Sequence, residues 1–276
     1  MHRRVLVTGA TSGIGRATVM ELARLGFDVI GSARTQEKAD ALVADAARQG
    51  HAVETVVLDL EDPEARAGLI EPLDLWGLVS NAGEMNPGLL EDVPLDTVRA
   101  QWEAMVLAPL DFVQQVLPGL RAKGEGRVVV VTSTMAHTTG AMVGWYQAAK
   151  HALRVLTDVL RTEIGPYGIE VVAVEPGGHR SDLWPKAEAT LVERRARAHR
   201  PEPYDRTLEV LRRITPTMPG PEHVAGVIGG ALTVGRPHVR YRVGTDAIAL
   251  EDGSRFLPAR LRDRLTRSVL ALRGSP

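Results

Sequence analysis

Short runs of apolar residues alternate with amphipathic segments along most of the 276-residue chain. The first run, at 5–7, is followed at 16–26 by a segment whose apolar positions recur at the spacing of one helix face. Helical segments, including one at 38–50, also separate the later runs, which lie at 28–33, 52–60, 75–83, 126–133 and 169–178. Strands that are apolar throughout and joined by helices are typical of a parallel sheet covered on both faces. The pattern therefore predicts a three-layer, doubly wound α/β fold whose ligands bind at the carboxyl ends of the strands.

The last third of the chain is less regular. Residues 182–220 contain five prolines and a basic run at 193–200, so we expect a helical excursion that forms a lid over the substrate. The basic run fits a solvated helix face better than an anion site, and both interpretations stay open. No repeat, linker or shift in composition divides the chain. We therefore expect a single domain over residues 1–276, with a helical C-terminal extension at about 248–276.

The overall charge points to a small ligand. The 33 basic and 34 acidic residues nearly cancel, which gives no reason to expect nucleic acid or a membrane as a partner. The absence of cysteine excludes disulfides, thiolate metal sites and cysteine nucleophiles. The eight histidines show no metal-ligand spacing, so no metal is expected. No stretch approaches the length of apolar sequence that spans a bilayer, and we expect a cytoplasmic protein.

The turn after the first apolar run reads TGATSGIG, at 8–15, and leads into a helix. Glycines at such a turn let the backbone bend sharply and let a pyrophosphate approach N–H groups at the positive end of the helix. The spacing G-x-x-x-G-x-G differs from the usual dinucleotide fingerprint, G-x-G-x-x-G. Three glycines also occur in ordinary loops, so this turn gains meaning only beside further motifs.

A phenol and an ammonium group lie four residues apart in GWYQAAK, at 144–150. On a helix predicted to run from about 143 to 164, Tyr146 and Lys150 share one face. Ser133 ends the valine-rich strand 13 residues before Tyr146. Most Tyr/Lys pairs at this spacing have no chemical role. A free tyrosine has a pKa of about 10, and a nearby ammonium favours the phenolate, so Lys150 is expected to bring the pKa of Tyr146 closer to neutral pH.

Five motifs occur together in one order along the chain. They are TGATSGIG, Asp59 in VLDL, Asn81-Ala82-Gly83, Ser133 with Tyr146 and Lys150, and the turn Glu175-Pro176-Gly177-Gly178. With these motifs the chain resembles the short-chain dehydrogenase/reductase (SDR) family, closely over about residues 3–181. The resemblance continues loosely through YRVGTDA, at 241–247, and the basic C-terminal helix, which look like the branch of steroid and retinol dehydrogenases. It implies a Rossmann fold, a nicotinamide cofactor, and a homodimer or homotetramer formed by the long helices flanking the Ser133 strand.

The resemblance also implies a role for each motif. Hydride passes between nicotinamide C4 and the substrate carbon, Tyr146 is the general acid/base, Ser133 holds the substrate oxygen, and Lys150 bonds the nicotinamide ribose. Asp59 would accept from the adenine amino group, and Ser181 stands where many members carry Thr. The implied cofactor contacts are Gly9, Thr11, Ser12, Gly13, Ile14, Gly15, Asp59, Leu60, Asn81, Ala82, Gly83, Tyr146, Lys150, Pro176, Gly177 and Ser181.

The end of the second strand favours NADP(H) over NAD(H). An acidic residue there would hold the adenosine ribose hydroxyls and repel a 2′-phosphate, but no acidic residue precedes Glu37. Arg34 offers a planar set of donors that suits phosphate, and Thr35 and Ser12 add hydroxyl groups. The alternative is that Arg34 is an ordinary exposed charge at the end of a strand.

Position 105 departs from the family pattern. Most members carry an Asn 13 residues before the residue that is Pro118 here, and this chain has Met105. In the family that Asn supports a local helix distortion and a water linked to the lysine, which is a proton route to solvent. Met105 has no comparable donor, although its backbone carbonyl can still hold a water. Alternatively, Met105 is a core residue with little effect on turnover.

The substrate is expected near the reactive end of the sheet, in contact with Met85, Met135, Met142, Trp145 and His179. A methionine-rich wall suits an adaptable apolar site, although methionine at helical spacing is more often ordinary core. The sequence thus predicts an NADP(H)-dependent oxidoreductase that interconverts a lipophilic ketone and a secondary alcohol. The alternative is an NADP(H)-binding sensor or scaffold with little turnover, which only Met105 favours.

Overall fold

A computed structural model describes residues 3–69, 71–244 and 258–270. Within these ranges seven strands form one parallel sheet in the order β3-β2-β1-β4-β5-β6-β7. The strands are β1 Arg4–Val7, β2 Asp28–Ala33, β3 Glu54–Val57, β4 Gly77–Ser80, β5 Gly126–Val131, β6 Ile169–Pro176 and β7 Arg240–Val243. The predicted doubly wound α/β fold with a central parallel sheet is confirmed.

Helices cover both faces of the sheet. The described α-helices are α1 Gly13–Arg24, α2 Gln36–Arg48, α3 Pro63–Arg66, α4 Leu95–Trp102, α5 Ala108–Lys123, α6 Gly144–Ile164, α7 Leu183–Arg195, α8 Glu202–Ile214, α9 Glu222–Thr233 and α10 Ala259–Val269. Short 3₁₀ turns occupy Glu71–Leu73, Thr134–His137, Gly165–Tyr167 and Thr215–Thr217, and a π-helical turn, Glu103–Leu107, joins α4 to α5. Among the described residues, no helix is both long and apolar enough to cross a membrane.

Alternate residues of the strands supply two separate cores. Val5 and Val7 of β1 point towards α1 and α9, where they pack with Leu22 and Ile228. Leu6 points the opposite way, into a cluster shared with α5 and α6. This two-residue alternation with both faces buried explains why the strands are apolar throughout.

The strand order reverses between β1 and β4, and this reversal creates a crevice at the carboxyl ends of the strands. Thr8 follows β1, and its hydroxyl accepts hydrogen bonds from the backbone N–H groups of Asn81 (3.0 Å) and Ala82 (3.2 Å), which follow β4. The glycine turn and the Asn81-Ala82-Gly83 motif are therefore fixed to each other at this switch point.

The excursion at 182–220 is more regular than its prolines suggest. It forms α7, α8 and a 3₁₀ turn, and most of its prolines lie where helices begin. Pro203 is in the first turn of α8, where the missing N–H would have no intrahelical partner. Of the expected C-terminal extension, 258–270 contains α10, and the remainder at 248–257 and 271–276 lies outside the described residues, as do positions 245–247 of YRVGTDA.

Candidate active site

A cavity of about 590 Å³ lies at the carboxyl ends of the strands, between the glycine turn and helices α7 and α8. The cavity is lined both by residues predicted to bind the cofactor and by the predicted catalytic residues. The predicted cofactor residues that line it are Gly9, Thr11, Ser12, Gly13, Ile14, Arg34, Leu60, Asn81, Ala82, Gly83, Tyr146, Lys150, Pro176, Gly177 and Ser181. Gly15 and Asp59 are not in its lining.

The glycine turn is shaped for close approach of a ligand. Gly9 and Gly13 have φ angles of 63° and 48°, which favour glycine. A Cβ at Gly15 would lie 2.0 Å from the Gly9 carbonyl oxygen, so Gly15 packs the start of α1 against the turn rather than touching a ligand. Ser12 makes no side-chain capping bond and no acidic residue occupies the first turn of α1, which leaves the helix N-terminus suited to an anion. These residues fit the pyrophosphate of a dinucleotide.

Asp59 lies in the exposed turn after β3, next to Leu60, which lines the cavity. One oxygen of its carboxylate accepts a hydrogen bond from the N–H of Glu61 at 3.0 Å and stabilises the turn. The bond from Asp59 to the adenine amino group stays a prediction.

Arg34 reaches the cavity from the end of β2. Its side chain is 60% exposed and lies 3.7 Å from the Glu61 carboxylate, so the guanidinium already has a weak counter-ion. Lys38, in the first turn of α2, lines the same end of the cavity and was not predicted from the sequence. The available signal was a lysine in the first turn of the helix that follows β2, because that turn lies close to the carboxyl end of the strand.

Ser133, Tyr146 and Lys150 meet at the other end of the cavity, and all three are buried. Ser133 lies two residues after β5, and its hydroxyl accepts from the Met135 N–H at 3.1 Å. Tyr146 and Lys150 lie one turn apart on α6, which begins and ends where the sequence predicted within one residue. Lys150 Nζ lies 6.0 Å from the centre of the Tyr146 ring and donates to the Val131 carbonyl at 2.9 Å.

Burial dominates the electrostatics of this group. It raises the pKa of Tyr146, and a hydrogen bond with Ser133 lowers that pKa by less. Burial also lowers the pKa of Lys150 to about 8. The expected lowering of the Tyr146 pKa by Lys150 is therefore outweighed by burial in the ligand-free protein, and Tyr146 is held as the neutral phenol, the form that can donate a proton.

The helix distortion that the resemblance ascribes to an Asn forms here without one. Met105 is 0% exposed and lies in the middle of the π-helical turn, packed in a cluster with Met85, Tyr146 and Ala149. Its terminal methyl and Lys150 Nζ both lie near Gly83, 4.0 and 3.6 Å from where a Cβ of that glycine would be. The thioether side chain of Met105 therefore occupies the space beside Lys150.

The predicted substrate residues divide into two groups. Met85, Met135 and His179 line the cavity, whereas Met142 and Trp145 do not. Met142 adopts a left-handed backbone conformation (φ 72°), and it lines a second cavity, of about 850 Å³, beside α10. Trp145 is adjacent to Tyr146, and successive residues on a helix point about 100° apart, so the two cannot share a face.

Helices α7 and α8 contribute cavity residues that the sequence analysis missed. The segment just after β6 is held by a bond from Trp184 Nε1 to the His179 carbonyl, at 2.7 Å. On these helices the missed residues are Leu183, Trp184, Lys186, Thr190 and Ile214, and Met218 follows α8. No local pattern distinguishes them from ordinary helix residues, since their position depends on how the two helices fold back over the sheet.

The comparisons with known proteins agree with this geometry. A family model described as short chain dehydrogenase matches residues 3–191. The chain belongs to this family. It is therefore an oxidoreductase, as the sequence predicted.

Relatives of this short-chain dehydrogenase span nearly its whole length. Retinol dehydrogenase 5 of Mus musculus is 32% identical over 290 residues, covering 96% of this chain and 88% of that protein. The NADPH-dependent 3-dehydrocapnine reductase of Ornithobacterium rhinotracheale is 29% identical over 281 residues, covering 95% of each. A solved structure of a short-chain dehydrogenase from Streptomyces avermitilis is 29% identical with a TM-score of 0.77, covering 100% of this chain and 98% of that one.

The described part of this SDR chain gives no indication of a metal centre. Within residues 3–69, 71–244 and 258–270, no three histidine or carboxylate side chains are grouped so that they could hold a metal ion. The donors and acceptors that the described site offers are those of its own side chains and backbone.

Proposed function

We propose that this protein is an NADP(H)-dependent oxidoreductase that interconverts a lipophilic ketone and a secondary alcohol. The observation that carries the proposal is the position of Ser133, Tyr146 and Lys150. They are buried together at the junction between the dinucleotide-shaped end of the cavity and an apolar end beneath α7 and α8. A carbonyl placed at this junction has a hydroxyl and a phenol within reach.

Two cations support NADP(H) as the cofactor. Arg34 and Lys38 line the end of the cavity where a 2′-phosphate would lie, and their donors suit phosphate. Glu61 weakens this preference because it is an alternative partner for Arg34. The relative from Ornithobacterium rhinotracheale is named as NADPH-dependent. A gluconate 5-dehydrogenase structure from Beutenbergia cavernae, 29% identical with a TM-score of 0.71, is described with bound NADP.

In the proposed reaction the nicotinamide supplies or accepts the hydride. Ser133 donates a hydrogen bond to the substrate oxygen and fixes its orientation. Tyr146, kept protonated by burial, donates its proton to that oxygen as negative charge develops in reduction, and it accepts the proton in oxidation. The Lys150 ammonium stabilises the phenolate that remains and supplies a donor to the cofactor ribose.

The apolar end of the cavity supports a lipophilic substrate. Met85 and Met135 lie on one wall, and Trp184, Ile214 and Met218 are supplied by α7, α8 and the turn that follows. Apolar side chains that are long and flexible suit a substrate with a hydrocarbon body. One relative is named for retinol, an alcohol of this character. We further propose that α7 and α8 act as the lid of the single domain.

The test is a turnover assay that follows NADPH absorbance with ketones of increasing hydrocarbon length. We expect kcat/KM to rise with chain length, and Tyr146→Phe to lower kcat by about 10²–10⁴-fold because the proton donor is lost. The affinity for NADPH, measured by fluorescence titration, should stay within about twofold in this variant, since the phenol ring and its packing remain.

The alternative is an NADP(H)-binding sensor or scaffold, which is favoured by Met105 beside Lys150. Tight NADPH binding without turnover on any ketone or quinone of a broad panel would contradict the enzyme proposal and support the sensor. Tight NADH binding with weak NADPH binding would contradict the cofactor choice alone.

A further inference from the structure

A buried carboxylate lies beside the site and is not used in the proposed chemistry. Glu175 is 0% exposed and is the last residue but one of β6, beside Pro176 and Gly177, which line the cavity. Burying a charged group is costly unless it is paired and hydrogen-bonded, so its partners show what it holds in place.

One oxygen of Glu175 connects several elements. Its Oε1 accepts a hydrogen bond from His137 Nε2 at 2.9 Å and lies 3.3 Å from Arg240 Nη1 on β7. Since a carboxylate only accepts, the His137 ring carries its hydrogen on Nε2. Arg240 in turn donates to Asp158 of α6 at 2.8 Å. The carboxylate thus links the turn that carries His137 to the edge strand and to the helix of Tyr146.

His137 is the last residue of the 3₁₀ turn that begins after Ser133. This turn is held at its start by two bonds to Ser133: the Met135 N–H donates to the hydroxyl, and the Ala136 N–H donates to the carbonyl at 3.0 Å. A four-residue turn fixed at both ends has little freedom to rotate the residue that caps it. The His137 contact is therefore placed to set the direction of the Ser133 hydroxyl.

We propose that His137 and Glu175 are positioning residues for Ser133, and that their hydrogen bond holds the 3₁₀ turn so that the hydroxyl faces the substrate oxygen. The inference rests on the proposed function, because it assigns the two residues to the same reaction. An error of about 1 Å in the position of a reacting group is enough to lower a rate by about 10²-fold, so a remote anchor of this kind has a measurable effect.

The ion pairs of Glu175 are not explained by stability alone. Among the described residues, its second oxygen, Oε2, is buried without a hydrogen-bond partner. A carboxylate satisfied on only one side contributes little net stability, and apolar residues of similar volume often serve a buried site equally well. A requirement to hold the turn Thr134–His137 in one orientation accounts for a charged residue at position 175.

The experiment compares Glu175→Gln, His137→Ala, the double variant and His137→Gln, which keeps a donor near the position of Nε2. Val171→Ala is the matched control, because Val171 lies four residues earlier on the same face of β6 and is equally buried. The measurements are kcat and KM for a ketone, the Kd of NADPH, and amide hydrogen exchange of the peptide at 133–139.

We expect kcat/KM for the ketone to fall by about 10-fold in His137→Ala, which removes the link, and by less than about threefold in Glu175→Gln, whose amide oxygen can still accept from His137 Nε2. The double variant should lose no more than His137→Ala, because both changes act on one link. In His137→Gln we expect a loss of less than about threefold, and the Kd of NADPH should stay within about twofold throughout. Exchange in the turn should be at least about fivefold faster in His137→Ala than in the wild type.

Two results would overturn the inference. One is a loss of kcat/KM in Val171→Ala equal to that of the variants, which would make the effect a general consequence of reduced stability. The other is unchanged exchange and unchanged kcat/KM in His137→Ala. Amide hydrogen exchange needs no turnover, so it tests the inference even if the wild type reduces no ketone. Absence of turnover in the wild type would contradict only the proposed function.

Discussion

Burial brings the charge change of Lys150 towards neutral pH. Burial lowers its pKa to about 8 and raises that of Tyr146. Below about pH 8 the ammonium is charged and stabilises the phenolate that forms as Tyr146 gives up its proton. Above that pH the charge is lost while Tyr146 stays protonated, so only one of the two residues changes state across the physiological range.

We expect kcat/KM for ketone reduction to be level below about pH 7 and to fall as the pH rises through about 8, since this parameter reports the free enzyme. A pH–rate profile from about pH 6 to 10 measures it. Lys150→Arg is the control: a guanidinium stays charged, so the rate should be lower but the fall near pH 8 should disappear. A fall of the same shape in Lys150→Arg would assign the ionisation to another group.

Met105 tests whether proton supply depends on a side-chain amide. The π-helical turn leaves backbone carbonyls outside the regular hydrogen-bond pattern, and these can hold a water without any help from the side chain. We therefore expect Met105→Asn to change kcat by less than about threefold. The buried amide should lower the free energy of unfolding by about 1–3 kcal/mol, measured by urea denaturation. A rise in kcat of tenfold or more would contradict this and show that the methionine limits turnover.

Among the elements, α8 is attached by the phenol of Tyr204 to the segment that follows Gly83. Tyr204 is fully buried, donates to Asp92 at 2.6 Å and accepts from the Leu89 N–H at 3.2 Å. Burial and the bond to Asp92 raise its pKa to about 12. Arg194 of α7 adds a bond to the Pro87 carbonyl at 2.6 Å. Both lid helices are thus attached to the segment that follows Gly83.

Loss of the Tyr204 hydroxyl should weaken the attachment of α8 without moving Ser133, Tyr146 or Lys150. For Tyr204→Phe we expect a decrease of about 1–2 kcal/mol in the free energy of unfolding, because Asp92 and the Leu89 N–H lose a buried partner. The KM for the ketone should rise by about two- to tenfold with kcat nearly unchanged, as in the loss of a contact that binds substrate and transition state equally. Steady-state kinetics measures this effect, and a fall in kcat at constant KM would contradict it.

The sequence was most informative for elements whose position depends on local patterns. The helix of Tyr146 and Lys150 was predicted within one residue because apolar spacing, a start and a stop coincide there. The π-helical turn at Met105 could not be predicted from the side chain, since a residue with no polar group occupies it. The placement of Trp184 and Met218 also escaped prediction, because it depends on contacts between distant segments.

At the scale of the whole molecule, α6 carries exposed apolar side chains within the described residues. Val155 and Val159, one turn apart, are both exposed, and Leu107 is exposed at the entry to α5. These are the two long helices that flank the Ser133 strand. We propose that these side chains belong to the contact of the predicted homo-oligomer.

We expect a homodimer or homotetramer in sedimentation experiments, and a lower mass for the double variant Val155→Glu/Val159→Glu because two charges would be buried in the contact. Val43→Glu on α2, also at an exposed valine, is the control and should leave the mass unchanged. A monomeric wild type, or dissociation in the control alone, would contradict this arrangement.

The π-helical turn also accommodates an extra residue. It holds one residue more than a regular helical turn would, and Ala104 within it lines the cavity. Because the extra residue is absorbed within the turn, α4 and α5 keep nearly the phase that a continuous α-helix would give them. Deleting one residue between 103 and 107 would therefore restore a regular helix without turning α4 relative to α5, and it would remove the carbonyls that this turn leaves outside the regular hydrogen-bond pattern.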